Sequence, residues 1–133
     1  MAALDTNVLV RFLVEDDPSR LAAAKKLFVR SVASGESLFV PVTVSLELEW
    51  VMRSRFGFSK NEVIHTLSQL LCTVELSFES EGAIEAALQH YGQGSADYAD
   101  CLHVALSGKA GEQPMWTFDK AAAKVGGARL LAG

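Results

Sequence analysis

Five acidic residues are spaced so that a fold can gather them at one place. Asp5 ends the first apolar run, MAALD, and is followed at once by Thr6 and Asn7. Glu47 stands in SLELEW, Asp97 and Asp100 stand in SADYAD, and Asp119 closes PMWTFD. A carboxylate carried to the edge of a core needs a partner, because burying an unpaired charge is costly. The basic residues nearest these acids in sequence are Arg11 and Lys120. Crowded carboxylates cannot all stay ionised without a compensating cation. Hard oxygen donors favour Mg²⁺ or Mn²⁺ over metals that prefer softer ligands. Such a site suits hydrolysis of a phosphodiester, with the cation polarising the phosphate and stabilising the leaving oxygen. A covalent nucleophile is not needed for that chemistry, and no Ser–His or Cys–His pairing suggests one.

The elements that must position these acids follow from the pattern of apolar residues. Residues 1–4 read as a short buried strand ending at Asp5, and residues 6–14 as a helix with Val8, Leu9, Phe12 and Leu13 on one face. Asp17 and Pro18 supply an N-cap and a first helical proline for a helix that runs to Gly35. A second strand is expected over 38–42, a helix over 43–55, and another from a Ser59 cap to about 71. Residues 72–77 alternate as a third strand, 79–91 are helical and 92–97 form a loop. Residues 98–109 are apolar on nearly every side, which predicts a buried helix. A fourth strand over 114–119 ends, like the first, at an aspartate; a short helix over 121–124 and an edge strand in ARLL complete the chain. Strands alternating with helices predict a parallel sheet covered on both faces, with its functional site beyond the carboxyl ends of the strands.

On the helix from Thr43, Val44, Leu48, Val51 and Met52 set the apolar face. Glu47 borders that face and is expected in the site, whereas Glu49 points further round and reads as a solvated surface acid. Asp97 and Asp100 share a side of their helix's first turn, where an acid is favoured by the N-terminus. Asp97 read alone is equally a plain N-cap. Asp100 lies among Tyr98, Ala99, Cys101 and Leu102, which implies burial. Thr6, Asn7 and Thr117 adjoin the strand-end aspartates and are candidates for orienting ligands through hydrogen bonds; Thr6 is equally a helix cap.

The chain of 133 residues reads as one domain over 1–133, long enough to bury a core. A net charge of −4 argues against gripping nucleic acid by bulk electrostatics. It leaves open a site where bound cations reverse the local sign. No signal-peptide pattern or membrane-length apolar run is present, so a cytoplasmic protein is expected. Cys72 and Cys101 read as reduced, small core residues. The spacing of His65, His90 and His103 does not suggest zinc. Two other classes are weighed. A phosphatase of the haloacid dehalogenase type needs a D-x-D pattern, which D-T-N lacks. A non-catalytic acidic interaction module would be indifferent to the loss of any one acid.

The blocks LDTNVLVRFL, VSLELEWVMRSRFGFS, SADYADCLHVA and TFDK, in that order, resemble the PIN-domain ribonucleases, and among them the VapC toxins of type II toxin–antitoxin pairs. The resemblance spans nearly the whole chain. It implies an α/β/α sandwich around a central, mostly parallel sheet of four to five strands, and Mg²⁺- or Mn²⁺-dependent endonucleolytic cleavage of RNA. It also implies a VapB-type antitoxin and a homodimer. Matched block by block, Asp5, Glu47, Asp100 and Asp119 fall on the family's catalytic, metal-binding acids, Asp97 on an extra acid of some members, and Thr117 on a position that often carries a hydroxyl.

An acidic chain must find RNA, expected to be a tRNA or an rRNA, through local patches. Arg11 and Lys120 are the leading candidates for contacting phosphates, ahead of Arg53 and Arg55. Trp50, Phe56 and Phe58 read as core or interface residues that could otherwise stack on bases. The groove expected to take the antitoxin is made by the helices within 6–32 and 43–71.

Overall fold

The computed structural model describes residues 2–132. Met1, which the sequence places in the first strand, lies outside the described residues. The architecture is mixed α/β, with six α-helices and short parallel strands.

Each helix near the acids is started by a side chain that satisfies a backbone N–H left without a partner. Helix α1 (Thr6–Leu13) is capped by Asp5, whose carboxylate accepts from the Val8 N–H at 3.1 Å. Helix α2 (Pro18–Ser34) has Asp17 as N-cap and Pro18 at its start. It ends at Gly35, whose φ of 72° is the left-handed conformation that glycine adopts without strain. The two helices pack through Phe12 and Phe28, edge to face with centroids 4.7 Å apart.

Strand β1 (Leu38–Val40) pairs in parallel with β2 (Leu76–Phe78), Leu38 opposite Leu76 and Val40 opposite Phe78. The other side of β1 takes the amino-terminal segment: the Phe39 N–H donates to the Ala2 carbonyl and the Leu4 N–H to the Phe39 carbonyl, both at 2.8 Å. This parallel bridge delivers Asp5 to the end of the ladder, as expected. Helix α3 (Val42–Ser54) follows Pro41, which offers no side-chain cap. Glu79, just past β2, replaces it by accepting from the Val42 N–H at 2.8 Å. Helix α4 (Lys60–Leu71) opens with a reciprocal capping box between Ser59 and Glu62.

Helices α5 (Glu81–Gln93) and α6 (Tyr98–Lys109) pack closely against each other. Helix α6 is capped by Asp97. Strands β3 (Met115–Thr117) and β4 (Ala128–Leu130) pair in parallel, joined through a 3₁₀ turn over Ala122–Lys124. One apolar cluster unites these elements through buried Leu9, Val40, Leu48, Met52, Leu67, Ile84 and Leu102. Full burial of each such side chain is worth about 1.5–3 kcal/mol.

Two expectations need correction. The third strand occupies 76–78 rather than 72–77, because α4 ends at Cys72 and a turn intervenes. Cys72 is consequently exposed rather than a core residue, whereas Cys101 is buried. The described ladders, β1–β2 with the Ala3 bridge and β3–β4, are all parallel, in keeping with the expected α/β architecture. No described helix is long and apolar enough to cross a membrane.

The capping box gives a direct test of the local code. Ser59→Ala removes the oxygen that accepts from the Glu62 N–H at 3.1 Å. It should lower stability by about 1 kcal/mol, read as a lower urea midpoint at unchanged slope. An unchanged midpoint would show that packing alone holds the α4 N-terminus.

Candidate functional site

Three of the candidate acids share one local role. Asp5, Asp97 and Asp119 each offer a carboxylate oxygen to a backbone N–H three residues on: Val8 at 3.1 Å, Asp100 at 2.8 Å and Ala122 at 2.8 Å. This N-cap geometry fixes each side chain's direction while committing only one of its two oxygens. The fourth acid is fixed differently. Glu47 accepts a hydrogen bond from the hydroxyl of Thr6, a buried residue one position after Asp5. That contact ties α3 to the start of α1 and sets Glu47 beside the Asp5 cap.

Asp100, in the first turn of α6, is half-buried, in keeping with its apolar sequence neighbours. Burial raises its pKa above the ordinary 3.8; the Asp97 charge, its hydrogen bond and the Asp119 charge raise it further, against an opposing influence from His103. Asp97 and Asp119 are therefore each close enough to Asp100 to disfavour its charge. Asp97 also lines a cavity of about 500 Å³ whose wall includes Glu47 on α3. Asp5 and Asn7 face a different cavity, about 430 Å³ between α1 and α2, with Arg11, Arg20 and Arg30 at its edge and Val8, Ala24 and Leu27 within it. Among the described residues, no three His, Cys, Asp or Glu side chains already stand together as a set able to hold a metal ion.

The donor chemistry nevertheless fits a hard divalent cation. Every candidate ligand is a carboxylate, three of them keep one oxygen clear of their cap bond, and Asp100 sits where a neighbouring positive charge would relieve repulsion. The Thr117 hydroxyl accepts from the Asp119 N–H at 3.0 Å and so shapes the turn that presents Asp119. Asn7 and Lys120 are exposed. Arg11 is mostly buried, at 12% side-chain exposure, and pairs with Asp16 at 2.7 Å. Cys101, beside Asp100, has its thiol pushed up to about 11, chiefly by burial and then by Asp97 and Asp100, so it is no ready nucleophile at neutral pH.

Glu49 departs from expectation. It is not a solvated surface acid but 3% exposed, accepting from the Tyr91 hydroxyl at 3.1 Å and the Arg53 Nε at 2.8 Å. Ser45 is buried with it and contacts the Tyr98 hydroxyl at 3.3 Å, so the buried arc of α3 is turned toward positions 45 and 49. The sequence signal was the Glu49 and Arg53 spacing of four, which lets a cation follow a buried acid on one helix face. Glu79, which caps α3 from just past β2, has no local signal at all. Trp50 is 54% exposed and is not a core residue, whereas Phe56 and Phe58 pack against the core.

A family model for the PIN domain matches residues 2–128. A VapC ribonuclease from Aquifex aeolicus (strain VF5) is 25% identical over 126 residues, covering 95% of this chain and 93% of that protein.

The raised Asp100 pKa makes a statement about stability. Folding favours the protonated form, so this group's contribution is fully present below pH 3.8 and is lost as the pH rises through the raised folded value. In metal-free buffer at pH 7, Asp100→Asn should therefore have a higher urea midpoint than the parent. The gap should close as the pH falls to about 3.8. Equal midpoints at pH 7 would count against carboxylate crowding at this helix start.

Proposed function

The chain belongs to the PIN-domain family, and on that premise we propose that it is a divalent-cation-dependent endoribonuclease, the toxin of a toxin–antitoxin pair. Residues 1–133 form a single PIN domain in this reading, acting in the cytoplasm. Asp5, Glu47, Asp100 and Asp119, with Asp97 beside them, hold Mg²⁺ or Mn²⁺. The observation that carries the proposal is the half-buried Asp100 at the start of α6, which feels the charges of both Asp97 and Asp119 and which a bound cation would relieve. The VapC ribonuclease name of the relative supports RNA as the substrate.

The cation would polarise the scissile phosphate and lower the pKa of an attacking water. The chain's own residues supply the frame. Cap bonds fix the directions of Asp5, Asp97 and Asp119, so little side-chain entropy remains to be lost when they take up a cation. Thr6 keeps Glu47 turned toward α1, and Thr117 holds the turn before Asp119. Lys120, exposed beside Asp119, is placed to meet an RNA phosphate. Arg11 has one Nη committed to Asp16, so its part in substrate contact requires that pair to open or its remaining edge to be used. The RNA is proposed to be a tRNA or an rRNA.

The α1/α2 cavity suits a VapB-type antitoxin segment. Its apolar residues Val8, Ala24 and Leu27 would take an apolar face, and Arg11, Arg20 and Arg30 would pair with acids. A partner seated there also reaches Asp5, which lines the same cavity, and would obstruct that acid. A homodimer is proposed as the toxin's free state.

The purified chain, freed of any partner, should cut tRNA or rRNA at discrete positions with Mg²⁺ or Mn²⁺ and not with EDTA. Asp100→Asn and Asp5→Asn should each lower the rate by at least about a hundredfold with a native circular dichroism spectrum. Thr6→Val, which frees Glu47, should cost roughly tenfold, in the range seen for groups that orient metal ligands. Full-rate cleavage by Asp100→Asn, or cleavage that survives EDTA, would overturn the proposal.

A further inference from the structure

Helix α3 presents a second surface beside its acid. Thr43, Leu46, Glu47, Trp50 and Arg53 recur at spacings of three and four, so they lie along one side of the helix, facing Asp97 and Ala99 across the 500 Å³ cavity. Trp50 leaves 54% of its surface exposed there. A single exposed aromatic is ordinary; one that shares a cavity wall with a catalytic acid and a fixed guanidinium is not explained by packing.

The guanidinium is fixed from below. Glu49 is buried, receives the Tyr91 hydroxyl at 3.1 Å, and takes the Arg53 Nε at 2.8 Å and, weakly, Nη2 at 3.5 Å. The Arg53 side chain remains 46% exposed while Glu49's is 4% exposed. A buried carboxylate thus grips one edge of the fork and leaves the rest facing the cavity. Among the described residues that line the cavity, Arg53 is the one cation, on the same wall as Glu47 and across from Asp97. A planar fork with one edge anchored is suited to binding phosphate oxygens with little further loss of freedom.

We propose that this cavity is a nucleotide subsite for single-stranded RNA, with Trp50 stacking on an unpaired base and Arg53, positioned by buried Glu49, holding a backbone phosphate beside the acids. The inference deepens the ribonuclease reading and rests on it. It favours an unpaired strand because stacking on a side chain needs a base free of its own helix. Glu49 is a positioning residue: it touches Arg53 and Tyr91, not the RNA.

Binding can be read apart from cleavage. Asp100→Asn protein, silent in cutting, is titrated with a fluorescein-labelled single-stranded RNA oligonucleotide in Mg²⁺, following anisotropy and tryptophan emission. The RNA should quench tryptophan emission, and the quenching should persist in Trp116→Phe and vanish in Trp50→Phe. Trp50→Ala and Arg53→Gln should each weaken binding about tenfold, the loss expected of one stacked base or one fixed contact. Glu49→Gln, which keeps an acceptor for Tyr91, should weaken binding less than Arg53→Gln. In the cutting-competent protein, Trp50→Ala should raise KM about tenfold with kcat within about twofold. Unchanged affinity in Trp50→Ala, quenching that follows Trp116, or no RNA binding by the parent would each overturn the subsite. So would a dimer that dissociates in Trp50→Ala with RNA affinity intact, which would assign this face to a second copy of the chain. RNA binding with the Trp50 signature but no cleavage under any metal would instead sink the ribonuclease reading and leave the subsite standing.

Discussion

The cap bonds of Asp5, Asp97 and Asp119 are the interactions on which the arrangement depends. One oxygen of each carboxylate starts a helix or turn, and the other is left over. The same residue therefore does two jobs that are usually separate, ending an irregular segment and presenting a charge. Helix starts also carry the positive end of the peptide dipoles, which helps acids stay ionised at positions where burial alone would neutralise them. Asp100 shows the limit of that help: with burial, Asp97 and Asp119 acting together its pKa still rises. Local folding and charge crowding are consequently set by the same few side chains, and neither can be changed alone.

Much of this was legible in sequence because it is local. The Asp17 and Pro18 start, the Gly35 stop, the Ser59 cap and the bounds of α6 follow from residues within a turn of each other. The strand-end position of Asp5 followed from a short apolar run before a polar triplet. Where the reading went astray, the deciding contact came from far along the chain. Glu49 is buried because Tyr91, 42 residues away, donates to it. The start of α3 depends on Glu79, 37 residues from Val42. The weak alternation around Cys72 suggests a strand, but α4 runs to Leu71 and makes Cys72 its closing residue.

The α3 helix has two acidic positions two residues apart with opposite fates. Glu47 is exposed and steered by a hydroxyl, whereas Glu49 is inside, paired with an arginine and hydrogen-bonded by a tyrosine. The arginine fork gains from this arrangement too: its pKa is raised, first by the hydrogen bond to Glu49 and then by its charge. Tyr91, pushed up to about 12 mainly by burial and then by Glu49, remains a donor throughout the physiological range. The interior carboxylate is thus an anchor whose effect is felt outside, at the cavity that Arg53 overlooks.

The two cysteines differ in a way with practical use. Cys101 is enclosed in α6 with its thiol pushed up to about 11, whereas Cys72 closes α4 and is exposed. A thiol-reactive dye at neutral pH will find one reachable sulfur, so labelling gives one reporter per chain without removing any cysteine. Energy transfer between two copies labelled at Cys72, or from a tagged RNA to that position, turns assembly and substrate capture into optical signals on the native sequence.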